Sequence, residues 1–519
     1  MGRFPQASPQ WTDQWTNWEG GLGMSEKGVF RLSAESMLAT VGLSIVVAVS
    51  MTMPVDAAVP SQPMVQVTMS SGQLLSVSCT SPTSCTAVGT AVGRTLVESW
   101  NGSAWSVVPS PNVGSIDSSL DSVSCTSTAN CVAAGVSYTT TSVYQILLES
   151  WNGTAWSVTS APLPSGTDSS FTSVSCTSTT NCMAVGYHHD PSDQILNLIE
   201  SWNGSAWSID SSPATSGNTS FLRSVSCTST TDCKAVGQTQ ECPPMLGCLA
   251  SQILIESWNG SAWSIMSVPN ENATDSLFSV SCTSSTQCVA TGGYYDMSTG
   301  VLKTVVESWD GTTWAAVYGP SPGPVGSGLV SVSCSGSNNC VTVGQSQAVS
   351  PPPGEQTLVA NWDGTTLSLA SSPNPSSTFD ELDGVACPTS TKCVAVGYLR
   401  SPSVAQTLIE SWDGTTWSVI PSPNVGVAIT TTSLPGGTVG SAYSATLVAT
   451  GGNPPYTWKL VSGSKLPKGL KLNKATGGIS GTPKLAGTTT FTVEVRDTKT
   501  TTKPHTRGVA TATLSIAVS

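Results

Sequence analysis

Through the middle of the chain the apolar positions fall in short runs, four to a unit, and the unit recurs about every fifty residues. In one unit the runs are Phe171 to Cys176, Cys182 to Gly186, Leu198 to Trp202 and Trp207 to Asp210. Each is bounded by Gly, Ser, Thr or Asn, which predicts four short strands, A to D, joined by tight turns.

Two fixed elements mark the repeat. The first is Glu-Ser-Trp-Asn-Gly-Thr-Ala-Trp at Glu149 to Trp156, with versions at Glu98, Glu200, Glu256, Glu307 and Glu410 and a degenerate copy from Ala360 to Leu367. The second is a cysteine pair six positions apart in a Ser-Val-Ser-Cys…Cys-x-Ala-Val-Gly frame. The pairs are Cys79 with Cys85, Cys125 with Cys131, Cys176 with Cys182, Cys227 with Cys233, Cys282 with Cys288, Cys334 with Cys340 and Cys387 with Cys393. Successive first cysteines are 46, 51, 51, 55, 52 and 53 residues apart. Four strands per unit at that period is the pattern of a propeller blade. The expectation is an all-β chain with a seven-bladed β-propeller over residues 58–424 and a separate β-sandwich over 425–519. Blade seven carries its own strand D, so closure by contact between blades one and seven is expected, with Val65 to Met69 as an added strand the alternative.

Asn-Gly between strands C and D is a strong hairpin signal, because both residues tolerate positive φ. Asn101, Asn152, Asn203 and Asn259 also head glycosylation sequons, but the later copies carry Asp310, Asp363 and Asp413, which a turn accepts and a glycan site does not. The flanking Trp residues read as packing material. The repeated Glu reads as an acceptor between blades, since six copies around a ring do not make one catalytic site.

Only the connection between strands B and C varies in length. From the strand B Gly to the strand C Glu (Ala360 in blade six) the separations are 9, 14, 14, 19, 15, 16 and 13. All of this variation falls on one face of the disc, where binding sites of repeat proteins lie. Six of the nine Tyr fall there: Tyr138, Tyr144, Tyr187, Tyr294, Tyr295 and Tyr398, with His188, His189, Asp190, Asp296, Arg94 and Arg400. Tyr and Arg bring rigid area and a polar handle to recognition surfaces. Tyr187 and Tyr398 directly follow the strand B Gly, so continued strand packing is the plain alternative for both. His188-His189-Asp190 alone is a poor metal site.

Charge narrows the partners. Residues 58–424 hold 6 Lys+Arg against 24 Asp+Glu, a net −18, and residues 425–519 hold 10 against 2, a net +8. An acidic propeller repels nucleic acid and anionic lipid. Within residues 1–57, Met37 to Met53 is a 17-residue uncharged run behind Lys27 and Arg31 and ahead of Val55-Asp56-Ala57. This order predicts a secretory signal cleaved after Ala57, leaving no stable membrane insertion; a retained anchor is the alternative. Sixteen cysteines in an exported chain read as disulfides, Cys242 and Cys248 forming an eighth pair of the same spacing. With three His in the chain, metal ligation is not expected.

The blade resembles the kelch-like propellers over about 350 residues, Leu74 to Asn424. A strand ending in Ala-Val-Gly stands where kelch repeats carry Gly-Gly, followed by an aromatic, a tight turn and a Trp, as in Ser150 to Trp156. The Gly doublet occurs only as Gly292-Gly293, and the aromatic-to-Trp spacing is shorter. It looks more like the Cys-paired repeats of secreted bacterial proteins. This resemblance implies an interaction platform. Ser308 to Trp314 is loosely similar to the Asp-box of sialidases, but the propeller's arginines, Arg94, Arg223 and Arg400, do not match the arginine triad of those enzymes. Beyond Pro421 to Asn424, the tail carries Leu434-Pro435-Gly436-Gly437, Gly451-Gly452-Asn453-Pro454-Pro455-Tyr456, Leu466-Pro467-Lys468-Gly469-Leu470 and Thr476-Gly477-Gly478-Ile479-Ser480-Gly481-Thr482-Pro483. It closely resembles the bacterial Ig-like domain of the cadherin-like β-sandwich group. Relatives in that group hold calcium, for which Glu494 and Asp497 alone are too few oxygens; no other cofactor is expected.

The sequence therefore predicts a secreted or cell-surface binding or adhesion module without catalysis, facing a polysaccharide, a cell-wall polymer or an extracellular protein. A carbohydrate-active enzyme and a purely structural surface protein are the alternatives.

Overall fold

The computed structural model describes residues 72–519 except 92, 112, 114–116, 139–142, 165–167, 214–217, 242–250, 269–274, 349–353, 377–378, 402–403, 424–426, 430, 432, 451–454 and 498–507. The signal run and the added strand at Val65 to Met69 lie outside the described residues. So do Cys242 and Cys248, the expected eighth pair. Every helix or strand element among the described residues is a strand.

Seven antiparallel four-stranded sheets follow one another, each built from one repeat; the fifth and sixth are joined by a parallel pairing of Leu302 with Gly326. In blade three the strands are Ser169–Ser178, Asn181–His189, Ile195–Trp202 and Trp207–Asp210. Strands B and C run further than the apolar pattern suggests, because pairing continues past Gly186 through Tyr187↔Asn197, His188↔Leu196 and His189↔Ile195.

The Ser-Val-Ser frame follows from the two-residue period of a strand. Val174 is buried, while Ser173 and Ser175 reach the next blade. There the Ser173 hydroxyl accepts the Val225 amide at 3.1 Å and the Ser175 hydroxyl accepts the Cys227 amide at 3.0 Å. The same pair of bonds crosses all six seams from blade one to blade seven. At the closing seam Gly384 and Ala386 replace the two serines. In their place Leu74, Val77 and Leu96 of blade one pack with Val394, Val396 and Ile409 of blade seven. Among the described residues the seven sheets form a seven-bladed β-propeller in which each blade draws its four strands from one repeat.

The repeated Glu is fully buried in all six blades that carry it. In four of them it accepts a hydroxyl from the residue five positions after the start of strand D in the preceding blade: Ser110 to Glu149, Ser212 to Glu256, Ser372 to Glu410 and, across the closing seam, Ser422 to Glu98 at 2.8 Å. The equivalent donor position is Ala161 before Glu200, Val268 before Glu307 and Gly319 before Ala360. In the four blades with a hydroxyl donor the role of the Glu is that of an acceptor between blades.

Strand A of every blade carries one extra residue, such as Thr172 between Phe171 and Ser173, where pairing with strand B slips. The bulge presses a carbonyl onto the strand B Gly: a Cβ on Gly186 would lie 2.0 Å from Ser170 O. That is why every copy of the frame ends in Gly.

Disulfides join Cys79 to Cys85, Cys125 to Cys131, Cys176 to Cys182, Cys227 to Cys233, Cys282 to Cys288, Cys334 to Cys340 and Cys387 to Cys393. Each spans an A–B hairpin, with Cα atoms 4.0 to 4.1 Å apart. In every pair the second cysteine, Cys85, Cys131, Cys182, Cys233, Cys288, Cys340 or Cys393, is buried in the layer between blades.

The C–D turn is an Asx turn seated on the A–B turn. Asn203 Oδ1 accepts the amides of Ser205 and Ala206 at 2.9 and 3.0 Å, and Gly204 takes φ 94° against Thr180. Asp310, Asp363 and Asp413 do the same in the later blades, and these bonds hold Asp310 down to about 2. Trp202 Nε1 donates to Thr179 O at 3.2 Å, while Trp207 is buried beside it.

The C-terminal domain packs Tyr443–Thr446, Leu470–Leu472 and Gly478–Gly481 in one sheet and Thr457–Leu460, Gly487–Arg496 and Val509–Val518 in another around Trp458, Ile479, Phe491, Val493, Val495 and Ile516. Glu494 pairs with Lys459 and Arg496, and Asp497 accepts the Gly508 amide at 2.6 Å.

Candidate binding face

The residues expected in variable loops lie on strand ends, Asp190 alone being in a turn. Their positions are consequently fixed by cross-strand pairing.

Two of them leave the ligand-facing set. Tyr398 is fully buried, stacked on Phe379 at 5.2 Å and directly across the strand pair from Glu381. Tyr138 is buried against Tyr144 at 4.0 Å, its cross-strand partner where strand B of blade two meets strand C. Both follow from the extended ladders, which carry these rings inward. Tyr187 is half-buried, edge-on to Phe221 of the next blade at 5.6 Å, and its hydroxyl is pushed up to about 12, first by burial and then by the charge of Asp121.

His188, His189 and Asp190 do not converge on one point. Asp190 Oδ1 accepts the amides of Ser192 and Gln194 at 2.8 and 2.9 Å, and His189 Nδ1 faces Asp193 at 3.0 Å. Burial lowers the His188 pKa. No group of three or more His, Cys, Asp or Glu among the described residues could hold a metal.

Tyr294 packs edge-on against Tyr318 at 4.8 Å, leaving both it and Tyr295 partly accessible. Asp296 accepts the Ser298 amide and the Lys303 ammonium, which hold its carboxyl below the ordinary range. Arg400 lies 4.7 Å over the Phe379 ring and 5.7 Å over Tyr398, with its side chain partly exposed. Of the half-exposed groups on this face, Tyr187, Tyr294 and Arg400 are each held by the ring of another strand or blade.

The inner wall carries residues that the sequence reading passed over. The bulge positions are Leu75, Asp121, Thr172, Arg223, Phe278, Val330 and Asp383. One pair of these side chains meets between blades: Arg223 lies 5.2 Å over Phe278, and burial draws it down to about 10. Burial raises Asp121 to about 6 and Asp383 to about 8. Glu381 is raised well above the usual range by burial and by Asp383, and its Oε2 has no partner among the described residues. The available signal was one column, immediately before Ser-Val-Ser, that changes from repeat to repeat.

A family model described as "Putative Ig domain" matches residues 426–517. No curated protein matches the chain. Among solved structures the chain is similar to YCF48 bound to D1 peptide, at 11% identity and a TM-score of 0.41, over 63% of this chain and 91% of that one. It is also similar to a protein of unknown function from Dyadobacter fermentans, at 10% identity and a TM-score of 0.39, over 56% and 93%.

Proposed function

We propose that this protein is a secreted or cell-surface binding module that engages a polysaccharide, a cell-wall polymer or an extracellular protein through the B–C end of the propeller. The observation that carries this reading is the set of half-exposed groups there, His188, Tyr294, Tyr295 and Arg400, fixed on paired strand ends rather than on free loops. Such pre-positioning lowers the ordering cost of binding. The seven disulfides fit an oxidising compartment. The resemblance of the repeat to kelch-like propellers supports a platform role.

The test is a pull-down of the purified protein on insoluble polysaccharides, cell-wall preparations and immobilised extracellular proteins, beside a variant with His188, Tyr294, Tyr295 and Arg400 changed to Ala. Capture of the parent and loss in the folded variant supports the reading. Equal capture of both removes the B–C end as the site.

One observation favours a carbohydrate-active enzyme as second reading: Glu381 and Asp383 lie two positions apart on one strand with both carboxyls raised. Neighbouring carboxyls that resist ionising together can divide acid and base roles. Release of reducing sugar that disappears in Asp383→Asn would favour this reading over simple binding.

A further inference from the structure

At the opposite end of the ring, in the seam between blades one and two, a cavity of about 70 Å³ opens beside the disulfide between Cys125 and Cys131 and the pair formed by Trp151 and Trp156. Its blade-one wall is a row of hydroxyls. Ser78, Thr86 and Ser99 are direct register partners across strands A, B and C. Thr80 and Ser84 lie next to that row.

The other blades explain why the cavity is here. The position of Ser84 holds Asn130, Asn181, Asp232, Gln287, Asn339 and Lys392 in blades two to seven, and that of Thr86 holds Val132, Met183, Lys234, Val289, Val341 and Val394. In blades two and three the longer residue also engages the threonine four positions before it, as Thr126 to Asn130 at 2.9 Å and Thr177 to Asn181 at 2.8 Å. In blade one the Thr80 hydroxyl reaches only Ser84 O, at 3.5 Å. Blade four fills the corresponding space with its own Lys234, 4% exposed and 2.6 Å from Asp232. Blade one has exchanged bulk and charge for small hydroxyls, and the Ser84, Thr86 and Ser99 hydroxyls have no partner among the described residues.

The lining contains no ionisable side chain, so neither a cation nor an anion would find a counter-charge. Hydroxyls that can donate and accept, set against indole rings, suit a neutral molecule with hydroxyls on its edge and C–H groups on its face. The volume would hold several waters, or one edge of a sugar ring that replaces them. We infer that this seam is a binding site for one uncharged sugar residue, separate from the B–C end of the ring.

The test uses the purified protein and three probes: methyl α-glucoside, methyl β-galactoside and N-acetylglucosamine. Binding is read by tryptophan fluorescence and by saturation-transfer NMR. The double variant Ser84→Asn with Thr86→Val gives blade one the residues of blade two and so preserves folding, which a melting curve checks. The expected result is saturable binding of at least one probe, weakened about tenfold or more in the double variant and unchanged in the variant lacking His188, Tyr294, Tyr295 and Arg400. No saturable response to any probe, or undiminished binding in the double variant, overturns the site. Loss only in the B–C variant would place the sugar at the other end and equally overturn it.

Discussion

Gly384 of the last blade lies so close to Ser76 of the first that a Cβ on it would sit 2.9 Å from the Ser76 Cα. Every other seam has a serine at this position, accepting an amide from the next blade. Gly384→Ser, which restores the repeat's sequence, is therefore expected to destabilise the ring by about 1–3 kcal/mol through overpacking. Ser173→Ala should cost about 1 kcal/mol by stranding the Val225 amide. Calorimetric melting of both variants checks the order, and a Gly384→Ser protein as stable as the parent would contradict the seam's geometry.

Acid should stabilise the propeller. Burial raises Glu149, Glu256 and Glu410 to about 7 and Glu200 to about 8, from an ordinary value of 4.5. Between those limits the unfolded chain has released protons that the folded chain keeps, so stability is full below about pH 4.5 and is lost as pH rises through 7 to 8. The turn aspartates act in the opposite sense: Asp310, held at about 2, contributes above 3.8 and loses its contribution as pH falls. The melting temperature should peak near pH 4 to 5 and decline towards pH 8. Neither carboxylate oxygen of Glu200 has a partner among the described residues, so Glu200→Gln should flatten that decline; a steeper one would count against the assignment.

Opening one A–B hairpin should have a local and measurable effect. Cys176 and Cys182 close a loop of six-residue separation, for which chain entropy gives about 2 kcal/mol. A variant combining Cys176→Ala with Cys182→Ala should melt earlier than the parent without loss of far-UV signal below its transition. An unchanged midpoint would show that the strand pairing already provides all the closure.

At the C–D turn, Asn203→Asp should be neutral within about 0.5 kcal/mol, because three blades already use Asp there. Gly204→Ala should cost about 1–2 kcal/mol, the usual penalty for a left-handed residue with a Cβ, here directed at Thr180. Urea titration of the two variants separates turn chemistry from any general sensitivity of the hairpin.

The repeat was legible because it is periodic in the chain itself. The cysteine frame and the Asn-Gly turn each keep one environment from blade to blade, and the repeated Glu is buried in every blade that carries it, so repetition exposes their role. The binding face was less legible for a physical reason. Whether Tyr398 or Tyr294 points outward is decided by what the adjacent strand or sheet offers, Phe379 in one case and Tyr318 in the other. The inner wall was least legible, since a one-residue bulge shifts Arg223 and Asp383 out of simple alternation.

Because each blade takes all four strands from a single repeat, the genetic unit and the folding unit coincide. Duplication or loss of one such segment adds or removes a whole blade without cutting any sheet in two. The interior repeats are interchangeable parts in this sense, joined by one common serine fastening. The two end repeats are not: Gly384 and Ala386 are matched to the first repeat alone, so lineages of this architecture should grow and shrink from the middle while their ends stay in place.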